Sequence, residues 1–107
     1  MAKLVFNVRE AKGFKVIGFE IPGGITTPEE VSASIAENAN IFVGGKVLIN
    51  GRGPVWAFAK MIHQAHATEV VATFDPRGGV DGSACYVVAS AHTEEFAGVE
   101  RISDPEA

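Results

Sequence analysis

Residues 46–74 constrain the fold more tightly than any other part of the chain. Lys46 to Asn50 carries the unbroken apolar run Val47, Leu48, Ile49, and Val70, Val71 and Ala72 open a second run that ends at Phe74. Short continuous apolar runs bounded by turn residues read as strands buried on both faces. Between them, Pro54 to about Ala67 reads as a helix with proline at its start. A strand, a helix and a second strand of the same kind form a parallel pair with a right-handed crossover. Each strand then runs into a turn carrying an arginine: Gly51-Arg52-Gly53-Pro54 after the first, Asp75-Pro76-Arg77 after the second. Ligands of open α/β sheets bind just outside the carboxyl ends of the strands, so the two turns mark a candidate anion site.

The flanking segments extend this unit. Leu4, Phe6 and Val8 alternate with polar neighbours as in a half-buried strand, Gly13 marks a turn, and Val16 to Ile21 supply the partner of a hairpin. Thr27-Pro28-Glu29-Glu30 is a capping box with proline at the first helical position, and its helix should run to about Glu37 with Val31 and Ile35 facing the core. Gly78, Gly79 and Gly82 read as a flexible connection to a last strand, Ala84 to Ala91. Residues 94–107 hold a short strand or helix around Phe96 to Ile102 and are expected to fray beyond it. The order β-β-α-β-α-β-β predicts an α/β fold: one small domain over residues 1–107, a mixed β-sheet and about two helices.

Composition narrows the function. The chain has 107 residues, of which 47% are hydrophobic and 21% charged, the balance of an ordinary soluble globule. A domain of this length buries its core with little margin, so association of copies would help it. Cys85 stands alone, which excludes an internal disulfide and a cysteine-based zinc cluster, and its strand-like neighbours suit a plain buried thiol. No charged leader with a long apolar core opens the chain and no run approaches membrane-spanning length, so a cytoplasmic protein without a membrane partner is expected. Net charge is −4, and residues 94–107 alone carry five acidic groups (Glu94, Glu95, Glu100, Asp104, Glu106) against Arg101, also −4. Residues 1–93 are therefore formally neutral, which argues against binding a DNA duplex and leaves room for a small anionic ligand at Arg52 and Arg77.

Several residue types in these turns carry chemistry, and each has a plainer reading beside it. Gly51 and Gly53 permit tight backbone and close ligand approach. Free N–H groups at a helix start favour an anion, and Arg52 offers a bidentate phosphate contact. Pro54 removes one donor. The motif lacks the length and spacing of a Walker loop or a dinucleotide fingerprint, and a sharp turn with a solvent-facing arginine explains it equally. Asp75 is a base, a metal ligand, an orienter of Arg77, or simply the start of an Asp-Pro turn. His63 and His66 share a helix face at a spacing that suits a transition metal, or are two partly exposed histidines. His92 follows the last strand and reads as an edge histidine or a member of the site. Trp56 and Phe58 stack a base or pack the core.

A helix starting at Gly-Arg-Gly-Pro and reaching His66 is roughly 18 Å long. Its far end lies near the start of the next strand, whereas Asp75 and Arg77 lie back beside Arg52. His66 and Asp75 should therefore meet only across subunits.

Gly51-Arg52-Gly53-Pro54-Val55-Trp56, the helix bearing His63 and His66, and Phe74-Asp75-Pro76-Arg77 together resemble the small stand-alone CRISPR-associated ring nucleases of type III systems, first described as manganese-dependent RNA deadenylases. The serial order of elements agrees over most of the chain. The resemblance implies a CRISPR-associated Rossmann-like domain working as a homodimer that pairs into a tetramer on its substrate. It implies binding and cleavage of cyclic tetra-adenylate, the second messenger of type III CRISPR immunity, with Mn2+ or a similar divalent cation. Carried over by position, His66, Asp75 and Arg77 are catalytic. Gly51, Arg52, Gly53, Pro54, Trp56 and His92 contact substrate, and His63, His66 and Asp75 hold the metal. The segment Gly78 to Ser83 is longer than the family pattern. Three other readings remain open at this point: a cyclic oligoadenylate sensor that does not cut, a deadenylating exoribonuclease acting on short RNA 3′ ends, and a structural oligomer without a ligand.

Overall fold

Parallel pairing of the two apolar strands defines the centre of the sheet. In the computed structural model, which describes residues 3–107, β3 (Lys46–Gly51) and β4 (Val70–Asp75) pair in parallel, and β2 (Phe14–Glu20) joins β3 in parallel on the other side. The sheet has six strands in the sequential order β1-β2-β3-β4-β5-β6, with β1 (Val5–Ala11), β5 (Cys85–Ala91) and β6 (Arg101–Ser103) antiparallel to their neighbours. The β1–β2 hairpin closes through Lys12 and Gly13, both in the left-handed region at φ 51° and 86°. Two successive positive φ angles make the turn whose twist suits a two-residue hairpin, which is why glycine stands second.

Helices α1 (Pro28–Glu37) and α2 (Val55–Ala65) lie on one face. Val31 and Ile35 of α1 and Ala57, Met61 and Ala65 of α2 pack with Ile17, Phe19, Val47, Ile49 and Val71. The opposite face of the same strands, Val16, Leu48, Val70, Ala72 and Tyr86, packs on Phe96 and Ile102 of the C-terminal segment. Val47, Leu48 and Ile49 are all fully buried, because helices cover one side and the returning chain the other; burying each stabilises the fold by about 1.5–3 kcal/mol. This is the small α/β domain with a mixed sheet and two helices, in the order β-β-α-β-α-β-β, extended by a sixth strand. Unlike a doubly wound sheet, it has no α-helix among the described residues on its second face, only a single 3-10 turn at Glu94–Phe96.

Local chemistry accounts for most boundaries. Thr27 Oγ1 accepts from the Glu30 N–H at 3.1 Å and starts α1, as the capping box requires. Pro54 stands just outside α2, not within it, and α2 ends at Ala65, two residues before the expected Ala67. The cause is buried Thr68, whose hydroxyl donates within hydrogen-bonding distance of the Ala65 and Val70 carbonyls and so turns the chain into β4. The last strand begins at Cys85, one residue after the expected start.

The chain end does not fray: Arg9 holds Glu106 through two contacts of 2.6 and 3.0 Å, and Pro105 is buried. Nor is the Gly78–Ser83 connection slack. Gly79 N–H donates to the Ser83 carbonyl, Gly82 N–H to the Gly79 carbonyl, and Arg101 Nε to the Gly78 carbonyl. The Ser83 hydroxyl and N–H both donate to Asp81 and hold its carboxyl below the usual range. No helix among the described residues is long and apolar enough to cross a membrane.

Candidate active site

The strand register sets three chain ends abreast. Phe19 pairs with Gly51, and Ile49 pairs with Thr73, which brings Gly51 level with Asp75. β2, β3 and β4 therefore end on one rim of the sheet, where Glu20 closes β2, Arg52 follows β3 and Pro76 follows β4. A pocket of about 670 Å³ opens at this rim, lined by Phe19, Glu20, Ile21, Gly24, Gly51, Arg52, Gly53 and Pro54.

The glycines of the turn are explained by packing. Neither Gly51 nor Gly53 is left-handed. A Cβ on Gly51 would meet the Phe19 ring at 2.5 Å and the Phe19 carbonyl at 2.7 Å. One on Gly53 would press on the Phe19 ring at 3.0 Å and on Ile21 at 3.2 Å. Phe19, itself locked edge-on against Phe58 at 5.1 Å, thus forms the floor of the pocket and excludes larger residues from the turn. Arg52 extends from it, exposed.

Beside it, Asp75 Oδ1 accepts the Arg77 N–H at 2.9 Å. This aspartate-centred turn fixes the carboxylate and aims the backbone that bears Arg77, whose side chain is exposed. Arg52, Asp75 and Arg77 thus share a rim, where two guanidinium groups can hold phosphate and a fixed carboxylate stands next to them.

The histidines occupy the other rim. His63 and His66 stack at 5.7 Å with their rings 13° from parallel, and His92 meets His66 edge-on at 6.3 Å. His92 N–H donates to the Glu69 carbonyl, just before β4, and Glu69 N–H donates to the Gly45 carbonyl, just before β3. From Val70 to Asp75, β4 spans roughly 17 Å, so His66 and Asp75 stand at opposite ends of it. His66 Nδ1 lies 2.9 Å from the His63 carbonyl. A carbonyl only accepts, so this contact is a hydrogen bond when Nδ1 carries the proton, and in that neutral tautomer Nε2 keeps a lone pair. That is the tautomer a general base needs.

Trp56 does not join the Arg52 pocket. It stands 36% exposed in a groove between α1 and α2, of about 480 Å³, with Ser32, Ile35, Lys60 and His63. His92, expected to contact substrate, lies on the histidine rim beside His66. Glu20, Ile21 and Gly24 line the pocket although the sequence assigned them only to a hairpin and its exit. Their signal was the apolar end of β2, which becomes informative once β2 is known to run parallel to β3.

His63, His66 and Asp75 do not come together within one protomer. Asp75 is separated from His63 and His66 by the length of β4, the two imidazoles stack with their centroids 5.7 Å apart, and manganese favours oxygen donors. Among the described residues, no group of three or more His, Cys, Asp or Glu side chains is arranged to hold a metal ion. The set His63, His66 and Asp75 is therefore not a ligand sphere of a single copy, and its physical obstacle is the rim-to-rim distance.

Residues 24–100 match the family described as CRISPR-associated protein (Cas_csx3), a span that includes both arginine turns and all three histidines. An uncharacterized protein of Aquifex aeolicus (strain VF5) is 33% identical over 81 residues, covering 73% of this chain and 67% of that relative. The chain belongs to the CRISPR-associated Cas_csx3 family.

Proposed function

We propose that this protein is a ring nuclease that binds and cleaves cyclic tetra-adenylate, ending type III CRISPR antiviral signalling. The observation that supports this reading is the division of the reactive groups between two rims: Arg52, Arg77 and Asp75 on one, His66 with its Nδ1 against the His63 carbonyl on the other. Neither rim suffices alone. When the arginine rim of one copy faces the histidine rim of another, a flat anionic ligand lying between them meets both. A cyclic oligonucleotide has that shape and charge. Dimers pairing into a tetramer around the ring give such a contact.

In this arrangement Arg52 and Arg77 take up the charge on the scissile phosphodiester, most strongly as it grows in the transition state. His66 Nε2 of the facing copy accepts the proton of the attacking oxygen, whether a 2′-hydroxyl or a water, as that oxygen bonds to phosphorus; the P–O5′ bond breaks, and the departing 5′-oxygen takes a proton from the resulting imidazolium or from water. Asp75 holds the turn that positions Arg77, through the hydrogen bond to its N–H. Dependence on a divalent cation is part of the family expectation, and His63, His66 and Asp75 would hold the ion only where two copies meet.

The test is incubation with cyclic tetra-adenylate, with manganese and with chelator, read by chromatography. Linear products in manganese that vanish in chelator support the reading and its metal requirement; products in both support cleavage by the side chains alone. An intact ring that still binds favours a sensor, and an intact ring that does not bind overturns the proposal. A second reading, a manganese-dependent exoribonuclease on short RNA 3′ ends, draws on the groove of Trp56, Lys60 and His63, where an aromatic face and a cation could hold a linear strand. A 3′-adenylated oligonucleotide run in parallel decides between them.

A further inference from the structure

A carboxylate in a pocket built for phosphate demands an explanation. Glu20 ends β2 directly after Phe19, whose register partner is Gly51, so Glu20 stands across from Arg52, the first residue beyond β3. Both line the same pocket. Adjacent strands lie about 4.8 Å apart, yet the two side chains form no ion pair among the described residues, and the Glu20 carboxylate has no hydrogen-bond partner among them either. Each is free to meet a ligand. An unpaired carboxylate repels the phosphate that Arg52 attracts, unless the ligand also presents a hydrogen-bond donor close to that phosphate. In a ribonucleotide the 2′-hydroxyl is such a donor, one sugar carbon away from the 3′-phosphate. The exocyclic amine of a base lies much farther off. Carboxylates at strand ends beside a phosphate-binding turn take ribose hydroxyls in other α/β folds for the same reason. Glu20 lies four residues before the segment that matches the family.

We infer that Glu20 is the residue that selects ribonucleotides, accepting a hydrogen bond from the 2′-hydroxyl beside the phosphate held by Arg52. This rests on the pocket's being the ring site proposed above. The carboxylate acts on two ligands with opposite signs. It strengthens binding of a ribose ring through a charge-assisted hydrogen bond, and weakens binding of a deoxyribose ring through repulsion alone.

The experiment measures affinities by calorimetry in chelator, with ring integrity checked by chromatography. The ligands are cyclic tetra-adenylate, its 2′-deoxy counterpart and a cyclic tetra-inosinate, each on wild type, Glu20→Ala and Glu20→Gln. Wild type should prefer the ribose ring over the deoxy ring by about tenfold or more. Glu20→Ala should lose that preference by binding the ribose ring more weakly and the deoxy ring more tightly than wild type does. Glu20→Gln, which keeps an accepting oxygen, should retain part of it, and the inosine ring should bind as the adenosine ring does. A purely structural Glu20 would weaken both rings together, which would overturn the inference, as would an unchanged preference in Glu20→Ala or equal binding of both rings by wild type. Loss of binding confined to the inosine ring would assign the donor to the base and overturn the ribose assignment. Failure of wild type to bind any ring would instead remove the ring site itself, and this inference with it.

Discussion

Gly51→Ala is the substitution whose effect the geometry defines most sharply. The added Cβ would fall 2.5 Å from Phe19 Cδ1, 2.6 Å from Cε1 and 2.7 Å from the Phe19 carbonyl. The ring cannot swing freely, because it packs edge-on against Phe58 and is 3% exposed, and the carbonyl belongs to the ladder between β2 and β3. The turn must open or the strands must part. Overpacking of this kind costs about 1–3 kcal/mol. Unfolding entropy of roughly 2.1 cal/mol/K per residue gives about 0.22 kcal/mol/K for a chain of this size, so Tm should fall by about 4–13 °C. Gly53→Ala is the internal control, since its nearest neighbours include no backbone atom and its Cβ comes only to 3.0 Å from the Phe19 ring and 3.2 Å from Ile21, which a shift of a few tenths of an ångström relieves; its Tm should move by less than half as much. Calorimetric melts of the two variants and of Gly51→Ala/Phe19→Leu check this, with the smaller side chain recovering part of the loss. A Gly51→Ala protein melting with wild type, or no recovery in the double variant, would refute packing on Phe19 as the reason for glycine here.

Two further outcomes follow from the same geometry. Arg52→Ala should leave Tm unchanged, because the side chain is exposed, while weakening cyclic tetra-adenylate binding about tenfold or more, as loss of a charged hydrogen bond requires; equal affinity in titration would remove Arg52 from the site. Burial pushes the Tyr86 phenol above its ordinary value of 10.0, with the Asn50 amide that donates to it working in the opposite direction. As pH rises past that value the unfolded chain loses this proton first, so the folded state's advantage is full below it and declines above it. Melts between pH 8 and pH 11 should show a steeper alkaline decline in wild type than in Tyr86→Phe, and identical slopes would contradict the assignment.

The parts of the fold that were legible in the sequence are those whose signals are local. Val47-Leu48-Ile49 and Val70-Val71-Ala72 announced buried parallel strands, and Thr27-Pro28-Glu29-Glu30 announced the start of α1. The three-residue strand Arg101–Ser103 is too short to carry a period, and the docking of the chain end depends on Arg9, 97 residues away from Glu106. The two arginine turns were visible because strand ends are where α/β sheets bind ligands. Helical spacing linked His63 to His66, but only tertiary folding adds His92 to them. The role of Gly51 was open between ligand approach and tight packing until Phe19 was seen beneath it. Glu20 was hidden for a related reason: nothing near it in sequence shows that β2 lies parallel to β3.

The central claim is that Arg52, Asp75 and Arg77 of one copy act with His66 of another. The most direct measurement mixes two inactive proteins, His66→Ala and Asp75→Ala, after confirming that each is folded and that the two co-assemble, and follows cleavage of cyclic tetra-adenylate. If the site spans copies, mixed assemblies contain some sites with both an intact His66 and an intact Asp75, and the mixture regains cleavage that neither protein shows alone. A confirmed mixed assembly that stays inactive would contradict the shared site.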